Sequence, residues 1–146
     1  MGRSDVPLDA DGRKQAGLLA AALAPVSFDA IYSSPLSRAW QTAEAVAADR
    51  GLTIRAVPGL TELDQGELEG RYGDVLAAEF PEFYAQWKSD PTDVRVPGGE
   101  TLAECSARAN AALGELLLRH KPGEAIAVVA HRVSISAILA ETMALP

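Results

Sequence analysis

Cysteine is nearly missing from this sequence. Cys105 is alone among 146 residues, so an internal disulfide or a cysteine-rich metal site is excluded. A single cysteine on a helix face reads as a small buried hydrophobe. No apolar run is long enough to cross a membrane and no signal-peptide pattern is visible, so a cytoplasmic protein is expected. Basic residues are in the minority: 13 Lys and Arg against 20 Asp and Glu leave a net charge of -7. A general nucleic-acid binder needs the opposite excess to neutralise phosphates. A small anionic ligand is compatible with this balance, because a pocket can be basic on an acidic protein. Histidine is scarce too, with only His120 and His131. Internal repeats, low-complexity segments and linker-like shifts in composition are absent. What remains, 48% hydrophobic and 23% charged residues, is ordinary globular composition. The length suits one domain, residues 1–146, able to bury a core without staples.

Pattern and punctuation give the elements. Residues 9–24 read as a helix capped by Asp9 or Asp11, with Ala16, Leu19, Ala20 and Leu23 on one stripe. Phe28 to Ser33 reads as a short buried strand. Ser34 as cap, Pro35 as first helical residue and Gly51 as stop frame the next helix. Residues 53–57 alternate as a strand, 58–72 are an acidic loop, and Asp74 to Trp87 forms one or two short helices broken at Pro81. After an irregular stretch ending in Pro-Gly-Gly, Thr101 and Glu104 have the spacing of a capping box. The helix they open runs to about Arg119, with Leu102, Cys105, Ala109, Ala112, Leu113 and Leu116 on one face. A turn at 121–124, a strand at 125–130 and a helix at 133–143 follow. Helices alternating with short apolar strands indicate an α/β fold with a mainly parallel sheet covered on both faces, a three-layer α/β/α sandwich.

Ligands of open α/β sheets bind beyond the carboxyl ends of the strands. One such end carries Ser33 and Ser34 at the start of a helix, with Arg38 one turn on. A helix N-terminus and a guanidinium together suit an anion. Read alone, Ser34 is more readily a plain cap and Arg38 a solvated surface residue, since caps are common. Another strand end carries His131-Arg132. Histidine there is either structural or placed for acid, base or phosphoryl-transfer work. The segment "LTELDQGELEG", residues 60–70, holds four carboxylates and two glycines. Such residues are ordinarily solvated, but one desolvated carboxyl could protonate a leaving oxygen. A serine hydrolase is disfavoured, since no G-x-S-x-G elbow occurs.

In order, "GRSDVPLDADGRKQA", "FDAIYSSPLSRAWQTA", "LTELDQGELEG", "PGGET" and "AVVAHRVS" resemble the histidine phosphatase superfamily, the phosphoglycerate-mutase-like family, over nearly the whole chain. The resemblance implies a phosphoglycerate-mutase-like sheet and a covalent phosphohistidine intermediate. It implies Arg38 as phosphate clamp, Glu62 as general acid and later base, and His131 as a stabiliser of the phosphoryl oxygens. Gly2 would offer its backbone N–H, and Ser34 and Arg132 would line the substrate site. Neither a metal nor a cofactor is implied. The implied partner is a small phosphorylated substrate or inorganic phosphate, with no nucleic acid and no membrane.

Departures from the family pattern carry expectations of their own. The family's nucleophile lies in an Arg-His-Gly motif ending a first strand, upstream of the part matching Gly2 to Leu8, and residues 1–146 contain no such motif. The expectation is a chain lacking that strand, shortened also after Ala144-Leu145-Pro146, with clamp and acid but no nucleophile and so inactive as written. The strand at 125–130 would then be an exposed apolar edge. His120, before the last strand, should face the opposite end of the sheet at a helix C-terminus. A non-catalytic phospho-ligand binder is the alternative. The short segment from Arg71 to Val96 lacks the basic insertion that phosphoglycerate mutases use, which disfavours a mutase. Arg132 stands where many members have glycine; it would touch a second anionic group or pair with Asp64 or Glu67. Phe80, Tyr84 and Trp87 would shape a pocket or join the core.

Overall fold

The computed structural model describes residues 2–71 and 73–144, so the expectations for Met1 and for Leu145-Pro146 fall outside this set. Three parallel strands, β1 (Ala30–Ser33), β2 (Ile54–Ala56) and β3 (Ile126–Val129), form a sheet of order β2-β1-β3. Ile31 pairs with Ile54 on one side and Ala127 on the other; Ser33 pairs with Ala56 and Val129. Side-chain alternation along β1 sorts two cores. Ile31 packs with Ala43, Val46, Ala127 and Val129 under the helices α1 (Ala10–Ala22) and α2 (Ser37–Ala47). Ala30 and Tyr32 face the other way, onto Leu60, Ala112, Leu116 and Ile138, under α5 (Leu102–Leu117) and α6 (Arg132–Thr142). This is the expected three-layer arrangement. The central strand is buried throughout, whereas β3 is half-buried and, among the described residues, has β1 as its one strand partner.

Local signals explain most element ends. The Asp9 carboxylate accepts from the Gly12 N–H at 2.7 Å, which selects Asp9 rather than Asp11 as the cap of α1. The expected stripe on α1 is shallow: Ala16 is buried but Leu19 is exposed. Pro81 separates α3 (Gly73–Glu79) from α4 (Pro81–Ser89) and occupies the first turn of the latter. The capping box forms, with the Glu104 N–H on Thr101 Oγ1 at 3.1 Å and the Thr101 N–H on Glu104 Oε2 at 3.0 Å. Among the described residues between β2 and α3 the regular structure is two single 3₁₀ turns, Pro58–Leu60 and Gly66–Leu68. Phe80, Phe83 and Trp87 pack on a third cluster of Leu63, Leu68, Val96 and Cys105, so two of the three aromatics weighed for a pocket serve the core. Tyr84 lies beneath Lys88, whose ammonium is 5.2 Å from its ring centre.

Ile31 is fully buried on the central strand. Replacing it with alanine should lower the unfolding free energy by about 2–5 kcal/mol, read as a shifted urea midpoint at unchanged slope.

Candidate active site

The site forms where β1 and β3 end, and the first finding there is a correction. Ser34 and Pro35 do not open α2. The helix begins at Ser37, with Leu36 as its cap residue and no side-chain cap from Leu36. A residue before proline is held extended, which keeps Ser34 off the helical path. The first turn is capped from a distance instead: Asp5 accepts from the Ser37 N–H at 2.6 Å and from Ser37 Oγ at 2.9 Å. Those bonds, the backbone one foremost, hold the Asp5 carboxyl below its ordinary pKa. Ser34, fully buried, puts its Oγ 2.8 Å from His131 Nε2 and accepts from the Leu36 N–H at 3.3 Å. It orients a histidine rather than a helix.

His131 is the cap residue of α6. Its backbone N–H donates to Ser134 Oγ at 3.1 Å. The residue is 7% exposed, and burial, reinforced by the positive charge of Arg38, lowers the pKa of its ring to about 4. The negative charge of Glu62 works the other way and does not prevail. At neutral pH the imidazole is therefore uncharged. An anion bound beside it would favour the charged form and draw a proton onto it.

Glu62 reaches the same place from the irregular segment after β2. Its Oε1 accepts from the Leu63 N–H at 2.8 Å, and both carboxylate oxygens face the Val133 N–H, at 3.2 and 3.3 Å. The first turn of α6 thus receives a negative group where free N–H donors and the helix dipole favour one. Arg38 donates to the carbonyls of Ser4 at 2.8 Å and Gly2 at 2.6 Å. A guanidinium has five N–H donors, so these two bonds leave others for an anion. Gly2 thus meets Arg38 through its carbonyl. Its φ of +28° and the 2.0 Å that would separate an added Cβ from Glu69 Oε1 explain why glycine stands there. The structure brings Glu62, His131, Ser34 and Arg38 together, with Gly2 behind Arg38.

Arg132 is apart from them. It is exposed, and its side chain has no hydrogen bond or ion pair among the described residues. Of the two alternatives for it, pairing with Asp64 or Glu67 does not form; the Asp64 carboxylate is taken by Arg3 Nη1 at 3.1 Å and the Gly66 N–H at 2.9 Å. Arg132 instead lines a groove of about 860 Å³ between α5 and α6, with Leu102, Val133, Ala137 and Ala140. His120 lies at the other end of the sheet, as expected, but with firmer partners than a helix terminus. Its Nε2 is 2.8 Å from the Tyr32 hydroxyl and its Nδ1 2.7 Å from Glu124 Oε2. Burial raises the Cys105 thiol pKa, as suits an inert core residue.

Sequence reasoning missed Arg3 and Arg108, which donate to the carbonyl of Glu62, and Glu100, which accepts from both arginines. One signal was available for Arg108. It falls between Cys105 and Ala109 on the buried side of α5, where a cation needs partners. Among the described residues no group of His, Cys, Asp and Glu is spaced to hold a metal ion. No helix among them is long and apolar enough to cross a membrane.

The histidine phosphatase superfamily (branch 1) matches residues 1–146. Phosphoserine phosphatase 1 of Hydrogenobacter thermophilus is 34% identical over 137 residues, which is 94% of this chain and 64% of that protein. The probable phosphoglycerate mutase GpmB of Salmonella choleraesuis is 35% identical, over 99% of this chain and 67% of that protein. The chain therefore spans about two thirds of the length of these relatives. A mycobacterial glucosyl-3-phosphoglycerate phosphatase, solved in complex with inorganic phosphate, superposes with a TM-score of 0.89 at 30% identity, covering 100% of this chain and 73% of that one.

The neutral, buried His131 should be visible in the stability. Its folded pKa of about 4 lies below the ordinary 6.5, so the unfolded chain binds the extra proton between those values. Stability should fall as pH drops through that window. The loss between pH 7 and pH 4.5, measured by urea denaturation, should be smaller in His131→Gln than in the parent. Equal losses would place the imidazole in water.

Proposed function

The chain belongs to the histidine phosphatase superfamily, branch 1, and on that premise we propose that it carries the phosphate-binding and acid-bearing part of a phosphomonoester hydrolase. Its substrate is a small phosphorylated metabolite, and its intermediate is a phosphohistidine. The observation that carries this reading is the meeting of Glu62, His131 and Arg38 at one strand end, with the Glu62 carboxylate on the first turn of α6.

The chemistry divides among these groups. A histidine nitrogen attacks phosphorus as the ester P–O bond breaks, and the departing alkoxide takes the proton that Glu62 carries in its acid form in the substrate complex. Water then gives a proton back to Glu62, its oxygen attacks phosphorus, the P–N bond breaks and inorganic phosphate leaves. Arg38 and His131 oppose the charge on the phosphoryl oxygens, with His131 becoming a donor as the anion approaches. Ser34 holds the ring in place. Arg132, unpaired beside the groove, meets a second anionic group of the substrate.

The attacking nitrogen is the part that residues 1–146 do not supply. His120 is tied between Tyr32 and Glu124 at the far end of the sheet, and His131 has the stabilising role. With His120 and His131 the two histidines of residues 1–146, this stretch binds phosphate without turnover, the property of a phospho-ligand binding module. A phosphatase is preferred to a mutase because the Arg71 to Val96 segment lacks a basic insertion for a carboxylated substrate.

Calorimetry with inorganic phosphate and hydrolysis of p-nitrophenyl phosphate test this together. The 146-residue protein should bind phosphate, and His131→Ala or Arg38→Ala should each weaken binding about ten- to a hundredfold, the worth of one charged hydrogen-bonding partner. Residues 1–146 should show no hydrolysis of the ester. Turnover by residues 1–146 would contradict the assignment of the nucleophile, and binding indifferent to both substitutions would contradict the site.

A further inference from the structure

Glu62 stands in a stretch with no helix or strand of its own, so something else must set where its carboxyl lies. Its carbonyl accepts from Arg108 Nη2 at 2.9 Å and from Arg3 Nε at 3.3 Å. Arg108 Nη1 also holds the carbonyls of Gly59 at 2.9 Å and Thr61 at 2.8 Å. One guanidinium thus ties down the backbone on both sides of the turn leading to Glu62.

Both arginines converge on one carboxylate. Glu100 Oε1 accepts from Arg3 Nη2 at 2.6 Å and Arg108 Nε at 2.9 Å; Oε2 accepts from Arg108 Nη2 at 2.9 Å and the Asp64 N–H at 3.1 Å. Four donors fill the acceptor capacity of a carboxylate. Burial opposes the charge on Glu100, but these bonds and the two guanidinium charges outweigh it and keep its pKa below the ordinary value. The backbones around it are pressed together as well. A Cβ on Gly99 would lie 2.3 Å from the Asp64 carbonyl, and one on Gly66 2.3 Å from that of Pro97.

We propose that Glu100 is the positioning residue of this site: through Arg108 and Arg3 it sets the Glu62 carboxyl against the Val133 N–H. It also sets the spacing between acid and phosphate clamp, because Arg3 lies between Gly2 and Ser4, whose carbonyls Arg38 holds. Without the negative charge, two half-buried guanidiniums would face each other and the segment would splay. This inference rests on the reading of Glu62 as the acid but is tested without turnover.

The experiment is an amide NMR titration of the 146-residue protein, with Glu62→Gln identifying the pH step that belongs to the Glu62 carboxyl. In the parent, the Leu63 and Val133 amides should both show that step. In Glu100→Gln, Leu63 should keep it, because its bond to Glu62 is local, while Val133 should lose it and exchange about tenfold faster, the worth of one hydrogen bond. Should Glu100→Gln fail to fold, Arg3→Met, which spares the Glu100–Arg108 pair, should speed Val133 exchange severalfold. Inorganic phosphate added to the same samples reports separately on Arg38 and His131, so a failure of the phosphate reading is told apart. A folded Glu100→Gln protein whose Val133 amide keeps both its step and its protection would overturn the proposal, as would unchanged Val133 exchange in Arg3→Met.

Discussion

The Glu100 carboxylate between two guanidiniums is the constraint on which the acid half of the site depends. Residues 58–68 have only two 3₁₀ turns to order them, and a segment without a hydrogen-bond ladder needs side chains to satisfy its carbonyls. Arg108 does this for Gly59, Thr61 and Glu62, and Glu100 makes its partial burial tolerable. A well-packed apolar substitute for a buried ion pair is often as stable. The placement of the Glu62 carboxyl is what an apolar substitute could not reproduce.

The other half of the site is set by the sheet. Parallel pairing brings Ser33 level with Val129, so the chain leaves β1 and β3 side by side and Ser34 meets His131. Burial of that pair is what makes His131 neutral. The two halves join where the Glu62 carboxylate meets the start of α6. A rigid strand end thus supplies a neutral ring and free N–H groups, while a clamped loop supplies the carboxyl. Proton transfer and phosphoryl binding need those in fixed register.

Much of this was legible in the sequence. The three strands, the two helical faces and the break at Pro81 follow from apolar period and punctuation, which report on burial that every element must satisfy. Glu62, Arg38 and His131 were legible as a set through the ordered motifs that carry the family resemblance. Three features were not. The start of α2 is capped by Asp5, thirty-two positions away in the chain, and no local pattern encodes a distant cap. Pairing of Arg132 with Asp64 or Glu67 was one of two readings its sequence position allowed, yet Arg3 holds the Asp64 carboxylate. The Glu100–Arg108 pair joins the start of a helix to a loop some forty residues upstream; only tertiary packing makes them neighbours. Periodicity reveals which side faces the core, whereas a polar network reveals itself only once the chain has closed around it.

The most direct test is where phosphate goes. Inorganic phosphate titrated into isotope-labelled protein should shift the Arg38 side-chain N–H, the His131 ring and the first amides of α6, and should raise the His131 pKa from about 4. Shifts centred on His120 and the turn after α5, with His131 unmoved, would contradict the account.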